Sequence, residues 1–337
     1  MLRTSFIRIL TTAFIVGAAY ASAPAPYARG QNNRPVIADY LVWHNPSTFD
    51  GHLTWDVPAD GPYDSSDIQT IRRHIRNAQE ACLDGFAVHW FGPDDPITTN
   101  NFERLLDASV GTSLRHAIVI QANTVPNADE DKILDSVLHI MDYWMAHPNY
   151  LKLDGRAVIL FTDMPRPWGS DAAALEGWRS IRESADPDRE TIWMAEGLYP
   201  TYNPLFDGLY VYRIDHRDYP KSWLKQPRWA AGLRKVQKQS KMKLYFADTI
   251  AAGFDDTRSA RLGALDYRSP QPAFARDRQN GQYYRETFAP TAKTGGDFLL
   301  VKSFNEWIEG TQIEPGKTYG DLYLRITCEL VAAYKSR

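Results

Sequence analysis

Cysteine is scarce in this chain. Only two of its 337 residues, Cys82 and Cys328, are cysteines, which excludes a disulfide-rich scaffold and a zinc centre built from cysteine clusters. Each lies in a predicted helix, the first and the last of the chain. If the fold closes into a ring, these helices are neighbours, and in an exported protein the two thiols could be oxidised to a disulfide. We favour two separate buried thiols.

An excess of positive charge is also missing. The chain has 38 Lys and Arg residues against 41 Asp and Glu residues, a net charge of -3, so it has no surplus of cations to neutralise a phosphate backbone. We therefore expect no nucleic-acid partner. The hydrophobic fraction of 44%, with 21 Gly and 21 Pro in no periodic tract, indicates a folded globular protein rather than a disordered or fibrous one.

Long apolar runs are absent beyond the N-terminus. Residues 1–30 place Arg3 and Arg8 around the start of an apolar stretch, Ile9–Ala19, which small residues follow. This order is typical of a secretory signal peptide, and the stretch is shorter than the ~20 residues of a membrane span. We expect a signal peptide over residues 1–21, a lead-in segment over residues 22–34, no membrane span after cleavage, and a periplasmic or extracellular protein. The alternatives are a fraying helix or a lipid-facing anchor.

The remaining chain alternates between short apolar runs and segments of helical period, the pattern of a parallel sheet wrapped by helices. Eight strands are predicted, at Val36–Val42, Gly85–Trp90, Ala117–Gln121, Ala157–Phe161, Thr191–Met194, Gly208–Tyr212, Leu244–Ile250 and Phe298–Ser303. Seven helices are predicted, at Ser66–Cys82, Asn101–Ser109, Glu130–Ala146, Ala172–Ser184, Trp229–Lys238, Gly281–Thr291 and Leu322–Ser336. This count indicates a single (β/α)8 barrel of the TIM type over residues 35–337, with extended βα loops at its C-terminal face. A doubly wound open sheet is the alternative, although no glycine-rich phosphate loop follows the first strand.

Two carboxylates follow the last predicted strand. The apolar run that starts at Phe298 ends in Asn305, Glu306, Trp307 and Glu309, at the barrel face where active sites are built. Cleavage of a glycosidic bond needs a proton donor and a second carboxylate, and burial or a nearby like charge keeps one of them protonated. Glu306 and Glu309 supply such a pair, with Trp307 as a wall of the site and Asn305 to hold a hydroxyl. The alternative is a solvated loop with incidental glutamates.

Further side chains at predicted strand ends complete the candidate substrate site. The full set is Tyr40, His44, Trp90, Gln121, Tyr212, Asn305, Trp307 and Gln312. An aromatic residue at a strand end can equally be core packing, which is the competing interpretation for Tyr40 and Trp90. His44 and His89 have no fixed spacing to an acidic partner, so we assign neither of them to a metal site.

The segment Ser303–Glu314 reads SFNEWIEGTQIE, and it closely resembles the hallmark of glycoside hydrolase family 99, the endo-α-mannosidases and endo-α-1,2-mannanases. Weaker similarities occur in the right order along most of the chain, at 45–51, 61–67, 147–156, 206–212, 253–257 and 280–284. The resemblance implies a (β/α)8 barrel that cleaves an internal α-glycosidic bond with retention and with no metal or organic cofactor. It also implies that Glu306 takes a proton from the sugar 2-hydroxyl, giving a 1,2-anhydro sugar, and that Glu309 is the general acid/base.

Three positions depart from the family pattern. Ile308 stands where the family has a His, Gln121 where it usually has a Glu, and Arg213 where it has an aromatic residue. Gln121 keeps hydrogen-bonding capacity but loses the charge. Arg213 could recognise an acidic or sulfated sugar, and an ion pair is the simpler interpretation. The pattern therefore predicts an exported, retaining, endo-acting hydrolase of a mannan-like or related α-linked glycan, with the sugar itself left open.

Two other functions compete with this one. A hydrolase like the α-1,3-glucanases of family 71 would share a related arrangement of aromatic and acidic residues. A catalytically inactive barrel that binds polysaccharide through its aromatic side chains would explain the changes at Gln121 and Ile308. The intact pair of Glu306 and Glu309 argues against the inactive barrel, because drift in a dead site has no reason to spare both carboxylates.

Overall fold

The computed structural model describes residues 34–49, 52–121, 129–162, 168, 170–197, 202, 205–214, 221–261 and 273–337. The expected signal peptide, and all of the lead-in segment except Arg34, lie outside the described residues. Among those described, no helix combines the length and apolar character that a membrane crossing requires.

Eight parallel strands close into a ring. The described residues form eleven strands in all: β1 (Val36–Leu41), β2 (Gly85–Trp90), β3 (Ala117–Gln121), β4 (Lys152–Leu153), β5 (Arg156–Thr162), β6 (Thr191–Glu196), β7 (Gly208–Tyr210), β8 (Tyr245–Ala251), β9 (Phe254–Asp255), β10 (Ala275–Arg276) and β11 (Phe298–Lys302). The ring runs β1, β2, β3, β5, β6, β7, β8, β11 and back to β1, with β4 antiparallel to β5 outside it and β9 paired only with β10. The predicted (β/α)8 barrel is confirmed, and the open-sheet alternative is wrong because β11 pairs with β1.

Helices surround the ring. They are α1 (Ile68–Glu80), α2 (Pro96–Ala108), α3 (Glu130–His139), α4 (Asp171–Ala185), α5 (Lys221–Ser240), α6 (Thr257–Arg261), α7 (Gln282–Phe288) and α8 (Leu322–Lys335). Short polar side chains begin several of them: Asp67, Asp95 and Asp129 each accept a backbone N–H from the first turn of α1, α2 and α3. Such caps satisfy N–H groups that have no partner within the helix.

Alternation along the strands divides the core into two layers. Ile37 and Leu300, which are level with each other on β1 and β11, belong to the apolar cluster inside the barrel. Val36 and Ala38, which point the other way, belong to the larger cluster between the strands and the helices. Polar side chains near the carboxyl ends of the strands therefore face the barrel lumen only at every second position.

The two cysteines form a disulfide, Cys82–Cys328. The expectation of two separate thiols is wrong, because closure of the ring makes β1 and β11 neighbours. Because α1 follows β1 and α8 follows β11, the two helices pack together. Cys82, two residues after α1, therefore comes within bonding distance of Cys328 on α8.

Candidate active site

The loop that carries both glutamates begins where β11 ends. Ser303 anchors it: its N–H donates to the Thr311 carbonyl at 3.0 Å, and its Oγ accepts the Glu306 N–H at 2.8 Å. The Thr311 N–H in turn donates to the Glu306 carbonyl at 3.1 Å. These hydrogen bonds close the base of the loop Ser303–Thr311. The loop backbone therefore holds Glu306 and Glu309 at the C-terminal face of the barrel.

Glu309 lies between two cations. Its Oε2 is 3.1 Å from the Lys302 ammonium, and its Oε1 is 3.8 Å from the Arg213 guanidinium. Lys302 is completely buried, and its Nζ lies 3.4 Å from the centre of the Tyr212 ring. Both cations favour the ionised form of Glu309. The ion-pair interpretation of Arg213 therefore describes what this side chain does in the structure.

Glu306 has the opposite environment. Burial and the neighbouring Glu309 charge raise its pKa to about 8, with Lys302 opposing them, and the Ile308 N–H donates to its Oε1 at 3.2 Å. The protonated form of Glu306 is thus favoured near neutral pH, whereas the two cations beside Glu309 favour its ionised form. Two carboxyl groups whose environments separate their protonation states are the electrostatic requirement for acid/base work.

Asn305 and Trp307 flank this pair but are committed to holding the loop. Asn305 Oδ1 accepts the Leu41 N–H at 2.8 Å, and its Nδ2 donates to the Leu41 carbonyl at 2.9 Å. Trp307 is buried, and its Nε1 donates to Glu314 Oε2 at 2.8 Å. The predicted roles in sugar contact remain predictions, whereas the roles in joining the catalytic loop to β1 and to Glu314 are visible.

Glu314 is the anchor beneath the loop. It is buried and accepts hydrogen bonds from Tyr63, His74 and Trp307. These contacts, His74 foremost, lower its pKa although burial opposes them. No sequence pattern indicated this role, because Glu314 was only the last residue of the motif Ser303–Glu314.

His44 also supports the loop. Its Nε2 lies 2.9 Å from the Asn305 carbonyl, and burial lowers its pKa to about 4. The ring is therefore neutral near pH 7 and donates from Nε2, a tautomer that we assign from this contact.

Tyr212 and Gln121 lie closer to the lumen, two residues after β7 and at the end of β3, with β5 and β6 between these strands. Tyr212 contacts the His89 ring, centre to centre at 5.5 Å, and His89 Nε2 lies 3.2 Å from Asp39 Oδ1. Gln121 ends β3 level with Thr162 of β5. Together with Lys302 these residues make the upper lumen polar, directly below the catalytic loop.

Tyr40 and Trp90 lie elsewhere. Both are buried in the layer between barrel and helices. The Tyr40 hydroxyl bonds His74 Nδ1 at 2.8 Å, and the Trp90 Nε1 donates to Thr99 Oγ1 at 2.9 Å. Because both point away from the lumen, the structure does not bring them to Glu306 and Glu309, and it favours the packing interpretation.

Sequence reasoning missed Lys302. The alternation of Phe298 and Leu300, both inside the barrel, would have placed Lys302 on the same inward face. A lysine at the inward end of an apolar strand was the available signal. Among the described residues, no three His, Cys, Asp or Glu side chains are grouped as metal ligands would be.

Comparison with known proteins identifies the family. The model of Glycosyl hydrolase family 99 matches residues 42–324, which include the whole catalytic loop. The chain belongs to glycosyl hydrolase family 99. The resemblance seen in Ser303–Glu314 is thereby confirmed, and the family-71 alternative loses its support.

Individual relatives of this family-99 protein are distant. It is 23% identical to the glycoprotein endo-alpha-1,2-mannosidase of Rattus norvegicus and 26% identical to a glycoprotein endo-alpha-1,2-mannosidase-like protein of Homo sapiens, in each case over 79% of this chain. The matches span 58% and 59% of those two proteins. The GH99 endo-alpha-mannosidase of Bacteroides thetaiotaomicron, solved with bis-tris-propane, superposes with a TM-score of 0.72 at 23% identity, over 89% of this chain and 97% of that one. At this identity the superposition establishes the shared fold.

Proposed function

We propose that this family-99 protein is a retaining, endo-acting glycoside hydrolase of an α-linked glycan that is mannan-like or related to mannan. The observation that carries the proposal is the pair Glu306 and Glu309, held on the family's loop in different environments, one that raises the pKa of Glu306 and one that places two cations beside Glu309. The curated relatives are named for endo-α-1,2-mannosidase activity, which supports the substrate class.

The proposed reaction uses the pair in two roles. Glu306 accepts the proton of the 2-hydroxyl as its oxygen forms a bond to C1, and Glu309 protonates the oxygen that leaves C1. Water then attacks C1 as Glu309 takes its proton, the C1–O2 bond breaks, and Glu306 returns its proton to O2. The two inversions at C1 give net retention. Attack from within the same sugar benefits from a high effective concentration, and no protein nucleophile is needed.

These roles place a demand on the proton of the pair. In the free protein burial and the Glu309 charge favour the proton on Glu306, while Lys302 and Arg213 favour ionised Glu309. Glu309 must hold the proton when the glycosidic bond breaks. Substrate binding therefore has to shift the proton from one carboxyl to the other, and the two cations beside Glu309 set the free-energy cost of that shift.

Product analysis tests the function. We expect wild-type protein to cleave one polymer of a panel that contains α-mannan, α-1,3-glucan and acidic bacterial polysaccharides, with retained anomeric configuration by NMR. Glu309→Gln and Glu306→Gln should each lower turnover by at least about 100-fold, the usual scale of an acid/base group. Glu183→Gln, on the exposed face of α4, is the matched control and should be fully active.

Two results would contradict the proposal. An inverted product would exclude the two-step route through the anhydro sugar. Binding of a polymer without cleavage by the wild type would support the inactive barrel, for which Gln121 and Ile308 are the motivating departures.

Export and domain limits are part of the same proposal. Residues 1–21 would direct export and be removed, and residues 35–337 would form the catalytic domain. Arg3, Arg8 and the apolar stretch Ile9–Ala19 support this. Expression with the native N-terminus should yield a secreted or periplasmic protein whose first residue, by mass spectrometry, is Ser22, and an uncleaved chain retained in the cytoplasm would contradict it.

A further inference from the structure

A second concave site adjoins the catalytic loop. It is a cavity of about 310 Å³ whose lining includes Trp55, Asp255, Arg276, Asp277, Gln312 and Tyr319. Its volume falls at the lower end of the range of small-molecule sites, roughly 300–1000 Å³. Neither Glu306 nor Glu309 is among the residues that line it.

The backbone at Glu309 lies between the cavity and the catalytic carboxylates. The Asp255 N–H donates to the Glu309 carbonyl at 2.7 Å, which joins the cavity rim to the backbone of the loop. Phe254 lines the cavity and also packs under the Arg213 guanidinium, 4.3 Å from its ring centre. A ligand in the cavity would thus lie behind Glu309 rather than on its carboxylate.

One residue of the cavity lining carries an acceptor without a partner among the described residues. Gln312 is 5% exposed, and its Oε1 has no hydrogen-bond partner among the described residues. A buried polar atom without a partner costs free energy unless a ligand or water satisfies it. The loop backbone at this point is fixed, because Arg278 Nη2 donates to the Gly310 and Gln312 carbonyls at 3.0 and 2.8 Å.

The rim adds further acceptors. Asp255 Oδ1 accepts the Thr257 N–H and hydroxyl, and Asp277 Oδ1 accepts the Gln279 N–H. The second oxygen of each carboxylate is outside these hydrogen bonds and can accept a hydroxyl from a ligand. A group of acceptors that includes Gln312 matches a ligand rich in hydroxyl donors.

Charge argues for a neutral ligand. The lining contains three carboxylates, Asp56, Asp255 and Asp277, against two guanidiniums, Arg276 and Arg278. The Arg258 guanidinium beside Trp55 at the rim balances the third carboxylate, so the site favours neither an acidic nor a basic ligand.

An aromatic side chain completes the site. Trp55 is 49% exposed, its Nε1 donates to Thr257 Oγ1 at 3.1 Å, and the Arg258 guanidinium covers its ring at 4.0 Å. The indole is thereby held in place at the rim with apolar surface that a ligand can cover. An apolar surface beside a few placed polar groups is the usual composition of a small-molecule site.

We propose that this cavity binds a neutral sugar unit, with Gln312 as hydroxyl acceptor and Trp55 as the apolar contact, apart from the sugar that Glu306 and Glu309 cleave. The inference rests on the proposed function for its substrate class. The sugar unit can come from a distant part of the substrate chain or from a second saccharide molecule, and the two sources share the same chemistry.

The test uses the indole N–H resonance of Trp55 in the full mature protein carrying Glu309→Gln, assigned through its loss in Trp55→Phe. Methyl α-mannoside and a ladder of α-1,2-linked manno-oligosaccharides are titrated. We expect the resonance to move, and Gln312→Leu to weaken the binding that moves it by about five- to tenfold, the value of one hydrogen bond. Gln79→Leu, exposed on α1, is the matched control. Should Gln312→Leu fail to fold, Trp55→Ala with Tyr143→Ala as its control gives the same comparison by calorimetry, because both side chains are exposed.

The outcomes separate the two sources and the two proposals. Movement with methyl α-mannoside indicates a second saccharide, and movement only with longer chains indicates a remote unit of the substrate. A resonance that stays in place with every saccharide of the panel overturns the sugar site, even if the wild type cleaves α-mannan. Movement without cleavage by the wild type overturns the proposed function and leaves the site standing.

Discussion

Replacement of Lys302 by methionine is the most informative perturbation of the catalytic pair. Lys302 is buried in the lumen, and its ammonium is 3.1 Å from Glu309 Oε2. Methionine is similar in length and apolar, so it fills the same space without the charge. The variant therefore isolates the electrostatic effect of one cation on the two carboxyl groups.

The magnitude follows from the distance. A unit charge at 3.1 Å interacts with another by about 5 kcal/mol at an effective dielectric constant of about 20. Since about 1.4 kcal/mol corresponds to one pKa unit, the loss of Lys302 can raise the pKa of Glu309 by at most about four units. Arg213 still lies beside Glu309, and water can enter the space around the carboxylate, so both reduce the effect. We therefore expect the pKa of Glu309 to rise by about one to two units in Lys302→Met.

The sign is the same for both carboxyl groups. Loss of a cation makes the ionised forms less favourable, so the pKa values of the pair rise. In the wild type, kcat/KM should fall as pH rises through about 8, where Glu306 loses its proton. In Lys302→Met both limbs of the pH profile should move to higher pH, and the acidic limb should move further because Lys302 contacts Glu309.

The assay is the pH dependence of kcat/KM on the cleaved polymer, which reports the free enzyme. Lys302→Arg keeps the charge and should keep the optimum. Lys243→Met removes an exposed lysine just before β8, at the opposite end of the barrel, and should leave the profile unchanged. An optimum that stays in place or moves to lower pH in Lys302→Met would refute the reasoning, because Lys302 would then not act as a cation on the pair.

Three further predictions concern the scaffold. Joint replacement of Cys82 and Cys328 by serine should lower the free energy of unfolding by about 2–5 kcal/mol in denaturant titrations under oxidising conditions, and no change would mean that the disulfide is unformed. Arg278→Met should lower kcat by about 10- to 100-fold with a small change in KM, since it frees the carbonyls behind Glu309; an unchanged kcat would contradict this. Burial raises the pKa of Asp248 to about 7 from 3.8, so folding is penalised as pH rises through this interval. Asp248→Asn should therefore stabilise the protein by roughly 2 to 4 kcal/mol at pH 8 and not at pH 4, by thermal unfolding.

The barrel was predictable because its signal is repeated. Eight apolar runs of similar length, each followed by a helical period, have few other arrangements, and most strand ends were placed within two residues. Helix starts were less accurate. α2 begins at Pro96 after the Asp95 cap, five residues before the predicted start, although proline in the first turn is a known start signal. α5 extends through Pro227, since packing can outweigh one missing backbone hydrogen bond.

Part of the candidate site could be predicted from the sequence, and part of it depends on contacts between distant segments of the chain. Glu306 and Glu309 follow a strand end in sequence, so their placement required only the barrel. The contacts of Glu309 with Arg213 and Lys302 depend on side chains from β11 and from the segment after β7 meeting across the lumen. Sequence spacing contains no information on such distances. The prediction for Tyr40 failed for a different reason. Tyr40 lies one residue from the end of β1, but the alternation of side chains along the strand turns it away from the barrel mouth.

The departures from the family pattern are linked through charge. Gln121 removes a carboxylate at the end of β3, and Ile308 removes an imidazole between the two glutamates. Lys302 and Arg213 place two cations within 4 Å of Glu309. All four features change the free energy of a proton on the pair without changing the pair itself. The bond cleavage and the protonation equilibrium that precedes it therefore depend on different residues of this chain. A carboxylate restored at Gln121 should therefore change mainly the pH profile of kcat/KM. Changes in the cavity lined by Trp55 and Gln312 should change mainly the affinity for saccharide.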